Sequence, residues 1–244
     1  MSELATTPRL YVKPDLDHGG DIVLDAAQSH YLVRVMRRAN GDRLRLFNGR
    51  HGEWAATLTD ADKKACRLSL DERTREHVEV PDIWLCFAPI KKSPLDYLVE
   101  KATELGIGRL LPTITERTEN RRANIERLGD VAREAAEQCE CLAVPEICES
   151  DSLRNRLAAW PANRTLFFLD ESREARPLAH EVRANTGPAA LITGPEGGFT
   201  PVERQTLLGH PASVSCSLGP RLLRAETAAA AALAIWQSVA GDCA

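Results

Sequence analysis

Two stretches of the chain carry residue types that chemistry can use. The first, Gly194-Pro195-Glu196-Gly197-Gly198-Phe199, sets three glycines in five positions, so its backbone can turn tightly and bring N–H and C=O groups close to a ligand. It matches neither common phosphate loop: there is no G-x-x-x-x-G-K-[ST] and no G-x-G-x-x-G, and Glu196 stands where a phosphate would be repelled. A ligand that is neutral or cationic at this point is expected. The second stretch, Ser217-Leu218-Gly219-Pro220-Arg221-Leu222-Leu223-Arg224-Ala225-Glu226-Thr227, places two arginines and a glutamate within six residues. Those groups suit anion contacts, or the orientation of a base and a phosphate; the plainer alternative is surface pairing of Arg221 and Arg224 with Glu226. The seven cysteines are odd in number, with no C-x-x-C pair, and Cys139, Cys141 and Cys148 have no neighbouring histidine. Reduced, mostly buried thiols and no metal are expected. His180 and His210 read as surface positions.

The elements that must hold these stretches change character along the chain. Up to residue 75 there are short strand patterns at 10–12, 22–24, 43–47, 54–58 and 67–70, one helix near 28–38, and an Asn48-Gly49 hairpin signal. That reads as a small β-barrel with an inserted helix. The charged run 71–79, ending at Pro81, reads as the connection. Beyond it, apolar runs at 83–88, 110–114, 165–169, 189–193 and 213–218 alternate with helical patterns, which predicts a mainly parallel α/β sheet covered by helices. Ser93-Pro94 marks a helix start, with Leu95, Leu98, Val99, Ala102 and Leu105 as its stripe and Gly106 as its stop. A longer helix is expected over 121–142, a capping box at Thr200-Pro201-Val202-Glu203, and an alanine-rich helix over 226–240. In an open parallel sheet ligands bind beyond the C-terminal strand ends, so the loops after Leu169, Thr193 and Leu218 are where the chemistry should lie.

Composition narrows the classes. With 244 residues, 43% hydrophobic and 27% charged, the chain is ordinary globular material, and its mostly alanine uncharged stretch near the C-terminus, 227–241, is too short for a membrane span. The N-terminus shows no basic start followed by an apolar core, so a cytoplasmic protein is expected. The formal charge is −4, which argues against general nucleic-acid adhesion. One segment departs from this: Arg34, Arg37, Arg38, Arg43, Arg45 and Arg50 are opposed within 34–50 only by Asp42, so a local basic surface is expected.

Taken together, the glycine loop and the Leu218 to Ala228 segment resemble the signature of RsmE-type 16S ribosomal RNA uracil-N3 methyltransferases. Lys101-Ala102-Thr103-Glu104-Leu105-Gly106, Pro112 with Thr115-Glu116-Arg117, Glu137-Gln138-Cys139 and Val144-Pro145-Glu146 are similar to that family in the same order. His30-Tyr31-Leu32-Val33-Arg34-Val35-Met36-Arg37 and Gly41-Asp42 resemble its N-terminal RNA-binding domain. The resemblance implies a PUA-like β-barrel over 1–75 and, over 76–244, an α/β SPOUT methyltransferase domain with a C-terminal trefoil knot. It implies S-adenosylmethionine as cofactor, a homodimer that builds the RNA site jointly, and 16S ribosomal RNA in the 30S subunit as substrate. The cofactor would be held by Leu169, Thr193, Gly194, Glu196, Gly197, Gly198, Leu218, Gly219 and Leu223. Arg221, Arg224, Glu226 and Glu196 are the candidates for catalysis, and His30, Arg34, Arg37 and Arg117 for RNA contact. One departure stands out: where the family commonly continues Glu-Gln-Cys with Gly-Arg, this chain has Glu140-Cys141, so a basic residue is missing.

Overall fold

A computed structural model describes residues 7–16, 20–172 and 174–244. They divide into two compact units: the described residues through Glu79 together with Ala136–Val144, and Val80–Ala135 together with Pro145–Ala244.

The first unit contains β1 (Arg9–Tyr11), β2 (Asp21–Val23), α1 (Ala26–His30), a π-helical turn at Tyr31–Val35, β3 (Arg43–Phe47), β4 (Glu53–Asp60) and β5 (Arg67–Arg75). Its five strands run in the order β1-β3-β4-β5-β2, with β1 parallel to β3 and the other pairs antiparallel. Leu10, Ile22, Leu32, Leu46, Leu58 and Leu68 meet in one buried cluster. The helix expected over 28–38 starts earlier, because the Asp25 side chain accepts the Gln28 N–H at 2.8 Å and caps it. It then widens into the π-helical turn, which keeps Leu32 buried and leaves Tyr31, Arg34 and Val35 exposed. The chain leaves that turn through Arg37, whose φ of 55° is left-handed. The charged run read as a connection is strand as far as Arg75, since pairing with β4 satisfies its backbone and Thr74 Oγ1 donates to Glu53 O at 3.1 Å.

Ala136–Val144 belongs to this unit through Arg9. The guanidinium donates to Glu53 at 2.6 Å, to Ala136 O and to Cys141 O, and lies 3.7 Å over the Phe47 ring. Phe47 packs with Ala136 and Leu142.

The second unit contains β6 (Ile83–Phe87), α2 (Lys92–Glu104), β7 (Arg109–Ile114), α3 (Ile125–Cys139, whose last turn joins the first unit), β8 (Glu146–Ile147), β9 (Asp151–Ser152), α4 (Leu153–Ala158), β10 (Thr165–Leu169), β11 (Arg176–Pro177), α5 (Leu178–Ala184), β12 (Ala189–Thr193), α6 (Pro201–Gly209), β13 (Ser213–Ser217) and α7 (Ala225–Ala240). The sheet order is β11-β13-β10-β12-β6-β7-β8, with β9 beside β7 and every pair parallel. The central strands IWLCF, TLFFL and AALIT are buried on both faces, as continuous apolar runs in a parallel sheet must be.

Helix ends differ from expectation in ways that local chemistry explains. Lys91, not Ser93, is the N-cap of α2; Pro94 then falls third in the helix, where its missing N–H costs nothing. The helix expected over 121–142 is shorter. Asn124 Oδ1 accepts the Arg127 N–H at 3.1 Å at its start, and Glu140, at φ 60°, turns the chain off its end. The capping box on α6 forms as expected. α7 packs against α2, α5 and β12 with Ala229, Ala232, Leu233 and Trp236 buried.

No cysteine is in a disulfide. Cys66, Cys86 and Cys216 are buried, Cys141 and Cys148 partly buried, and Cys139 and Cys243 exposed, so burial is less general than expected. Burial pushes the Cys86 and Cys216 thiols up to about 12, far from the reactive thiolate range. Among the described residues no helix is long and apolar enough to cross a membrane.

Candidate active site

Neighbouring strands β13, β10 and β12 all end on the same side of the sheet, because the sheet is parallel, and their following loops converge on a cavity of about 510 Å³. β10 delivers Leu169, then Asp170 and Glu171; β12 delivers Thr193 and the glycine loop; β13 leads into Leu218, Gly219 and the segment up to the first turn of α7. Lys91 and Pro94, at the start of α2, complete the wall.

The glycine loop is shaped by local bonds. Gly198 N–H donates to Pro195 O at 2.9 Å, and Gly198 sits at φ 66°, where a Cβ would collide with the Glu171 carboxylate. Phe199 packs its ring edge-on to Phe168, centroids 5.4 Å apart, and lies so close to Gly194 that a Cβ there would stand 3.0 Å from the ring. Thr200 Oγ1 then accepts the Glu203 N–H at 3.3 Å and starts α6.

Among the cavity-lining residues, the Thr193 hydroxyl is buried with no hydrogen-bond partner among the described residues, an arrangement that ordinarily costs stability. Beside it Asp170, 6% exposed, receives Ser172 N–H at 3.0 Å, Ser172 Oγ at 2.9 Å and a two-point fork from Arg204. Its negative charge is therefore already matched. On the other wall Arg221, Arg224 and Glu226 form no ion pair among the described residues, so the surface-pairing alternative is not what the structure adopts. Arg224 is the N-cap of α7 by its backbone, without a side-chain cap bond, and Glu226 stands in the first turn.

All four expected catalytic candidates, Arg221, Arg224, Glu226 and Glu196, line the cavity. So do the expected cofactor residues Leu169, Thr193, Gly194, Glu196, Gly198, Leu218, Gly219 and Leu223. Gly197 does not; it faces the Arg117 side chain, which donates to Gly197 O at 2.6 Å. Sequence reasoning missed Lys91, Asp170, Glu171 and Arg204. Only Asp170 left a trace, as an acid directly after an apolar strand.

His30, Arg34 and Arg37 lie in the first unit, exposed on α1 and the turn after it. The basic segment they belong to is largely neutralised: Arg38 meets Asp42 within it, and from farther along the chain Arg43 meets Asp71, Arg45 meets Glu53 and Glu140, and Arg50 meets Asp15. Arg34 and Arg37 are the two of the six arginines that form no ion pair among the described residues. No group of three or more metal-ligating side chains comes together among the described residues.

Known proteins share this fold. Residues 78–237 match the family model of an RNA methyltransferase domain, and residues 24–71 that of an RNA methyltransferase PUA domain. The chain is 33% identical over 238 residues to the ribosomal RNA small subunit methyltransferase E of Rickettsia conorii, covering 96% of this chain and 97% of that protein. Its fold superposes on the crystal structure of the Neisseria gonorrhoeae ribosomal RNA small subunit methyltransferase E bound to S-adenosyl methionine, with a TM-score of 0.89 at 28% identity over 98% of this chain and 100% of the other. A Legionella pneumophila protein in complex with the bound cofactor SAM gives a TM-score of 0.86 at 28% identity, covering 97% and 99%.

Proposed function

The chain belongs to the ribosomal RNA small subunit methyltransferase E family of SPOUT methyltransferases with an N-terminal PUA domain, and from that premise we propose that it transfers a methyl group from S-adenosylmethionine to N3 of one uridine of 16S ribosomal RNA, in the assembled 30S subunit. The observation that carries this reading is the cavity beyond β13, β10 and β12, with its unpartnered Thr193 hydroxyl and a glycine loop unsuited to phosphate.

The residues fit that cofactor. About 510 Å³ lies within the ~300–1,000 Å³ usual for small-ligand sites. Glu196 and Glu171 on the wall tolerate a positive ligand, and Asp170 is compensated by Arg204. Thr193, Leu218, Gly219, Leu223 and the backbone of Gly194 and Gly198 would hold it. When bound, S-adenosylmethionine supplies an electrophilic methyl group on a sulfonium centre.

The protein's own task follows from the uracil. N3 carries a proton that is locked in pairing within a duplex, so the base must be unpaired or extruded and the proton removed. Arg221 or Arg224 would stabilise the resulting anion at O2 or O4, and Glu196 or Glu226 would accept the proton. Their support is common membership of the cavity wall, with no ion pair between them. Arg34, Arg37 and His30 would hold RNA phosphates from the first unit, supported by their exposure and by the absence of carboxylate partners.

A cytoplasmic homodimer and a trefoil knot belong to the same reading. The sheet order, with β12 between β10 and β6 and α7 packed on β12, is consistent with the knot.

The test supplies labelled S-adenosylmethionine with 30S subunits, and separately naked 16S RNA, from cells lacking the enzyme, and identifies the product nucleoside by mass spectrometry. 3-Methyluridine from the subunit supports the proposal. Label in a ribose-methylated nucleoside would keep the fold and overturn the specificity. Cofactor binding without methylation of either substrate would favour a binding factor without turnover.

A further inference from the structure

The segment after β7 is tied to itself and then to the glycine loop. Thr118 N–H donates to Thr115 O at 3.2 Å, Thr115 N–H to Thr118 Oγ1 at 3.0 Å, and the two buried hydroxyls meet at 2.9 Å. That closed turn presents Arg117, which reaches a partner 80 residues away: its Nη1 donates to Gly197 O at 2.6 Å and, less closely, lies 3.4 Å from Phe199 O. The aliphatic part of the side chain lies against Gly197, where a Cβ would stand 3.4 Å from Arg117 Cδ. A second tie runs parallel to it. Glu116 N–H donates to Glu203 Oε1 at 2.8 Å, and the other oxygen of that carboxylate accepts Thr200 N–H at 2.9 Å.

Glycine loses more conformational freedom on ordering than any other residue, so a loop with three glycines samples many shapes unless something outside it fixes its carbonyls. The intraloop bond from Gly198 to Pro195 fixes its middle. Arg117 bridges the carbonyls on either side of Gly198, where the loop leaves the cavity. A guanidinium suits this role, since its charge strengthens both bonds and its fork offers several donors.

We propose that Arg117 is a positioning residue for the cofactor loop: it pins Gly197 and Phe199 so that the loop stays in its ligand-binding shape, acting through the loop rather than on the ligand or on RNA. This assigns Arg117 differently from the RNA contact expected of it, and it rests on the S-adenosylmethionine reading of the cavity. If the loop is competent only part of the time without Arg117, apparent cofactor affinity falls in proportion, by roughly tenfold for loss of one charged hydrogen bond.

The experiment compares Arg117→Ala, Arg117→Met and Arg117→Lys, each checked for an unchanged melting transition. Calorimetric titration with S-adenosylmethionine should show Ala and Met about tenfold weaker and Lys close to wild type, since Met keeps the aliphatic stem but only Lys keeps a donor. The KM for cofactor should rise while the KM for RNA stays constant. Wild-type cofactor affinity in the Met variant, or a loss of RNA affinity alone, would overturn the proposal. Hydrogen exchange of the 194–199 amides in the ligand-free protein separates it from the cofactor reading. Faster exchange in Arg117→Met supports the pin even if the wild type bound no S-adenosylmethionine, and unchanged exchange removes it.

Discussion

Arg204 of α6 meets Asp170 at the end of β10 in a fork, Nε to Oδ1 at 3.1 Å and Nη2 to Oδ2 at 2.7 Å. The pair ties the loop after β10 to the helix that follows the glycine loop, and so joins two walls of the cavity. Burial by itself would raise the Asp170 carboxyl, but the Arg204 hydrogen bonds, the Ser172 N–H and hydroxyl, and the Arg204 charge outweigh it and hold the group below the usual carboxylate range.

A carboxyl depressed in the folded state contributes stability above its unfolded value of about 3.9, and that contribution fades as pH falls through the lower folded value. Asp170→Asn should therefore melt below wild type at neutral pH, with a gap that is constant above about pH 5 and narrows below about pH 4. Thermal melts across that range read it directly. A gap of constant size down to about pH 3 would assign the loss to packing instead of charge.

Gly194 leaves no room for a side chain under the Phe199 ring. Gly194→Val must displace Phe199 from Phe168 and with it the loop, so S-adenosylmethionine affinity should drop below detection while the fold, whose core cluster around Phe168 loses only the partly buried Phe199 at its edge, still melts cooperatively. Calorimetric affinity equal to wild type would contradict a role for this loop in binding.

The four polar groups on the cavity wall are separable by single-turnover kinetics with saturating cofactor. Alanine at the arginine that stabilises the uracil anion should slow methyl transfer by about 100-fold or more, and alanine at the carboxylate that takes the proton by a similar factor. Whichever of Arg221, Arg224, Glu196 and Glu226 leaves the rate unchanged is removed from the mechanism.

Arg34 and Arg37 are the arginines of their segment that carry no ion pair among the described residues, and Arg37 holds its side chain out from a left-handed backbone that glycine would adopt without strain. The double variant Arg34→Ala, Arg37→Ala should lose two phosphate contacts, lowering the magnitude of the slope of log affinity against log salt by about 1.4–1.8. A wild-type slope in filter binding across a salt series would refute the assignment.

Glu140 occupies a left-handed position, φ 60°, and accepts from Arg45 at 2.9 Å, which holds its carboxyl below the usual range. Glycine there relieves about 1 kcal/mol of backbone strain and forfeits a half-exposed ion pair worth about 0.5 kcal/mol, so Glu140→Gly should stay within about 1 kcal/mol of wild type. Glu140→Ala keeps the strain and loses the pair, and should be the least stable of the three in urea titrations. Equal stability of the two variants would remove backbone strain from the account.

Much of the framework is legible locally. The runs at 43–47, 165–169 and 189–193 are strands with those limits, and Thr200 starts its helix as its side chain dictates, because strand patterning and caps are decided within a few residues. The residues of the two chemical stretches are likewise set by type and spacing, and the resemblance they carry extends to the family. What the sequence could not show is which distant groups meet. The arginine segment reads as a basic surface until Asp15, Glu53, Asp71 and Glu140 arrive and neutralise three of its members, Arg43, Arg45 and Arg50. Ala136–Val144 reads as helix end and loop, yet Arg9 recruits it to the first unit. Arg117 reads as an RNA contact, and nothing in the sequence shows that its guanidinium meets Gly197 O, 80 residues on. Hydrogen bonds and ion pairs depend on separations of a few ångströms, and those separations are fixed only once the cores have packed and the sheet order has brought the strand ends side by side.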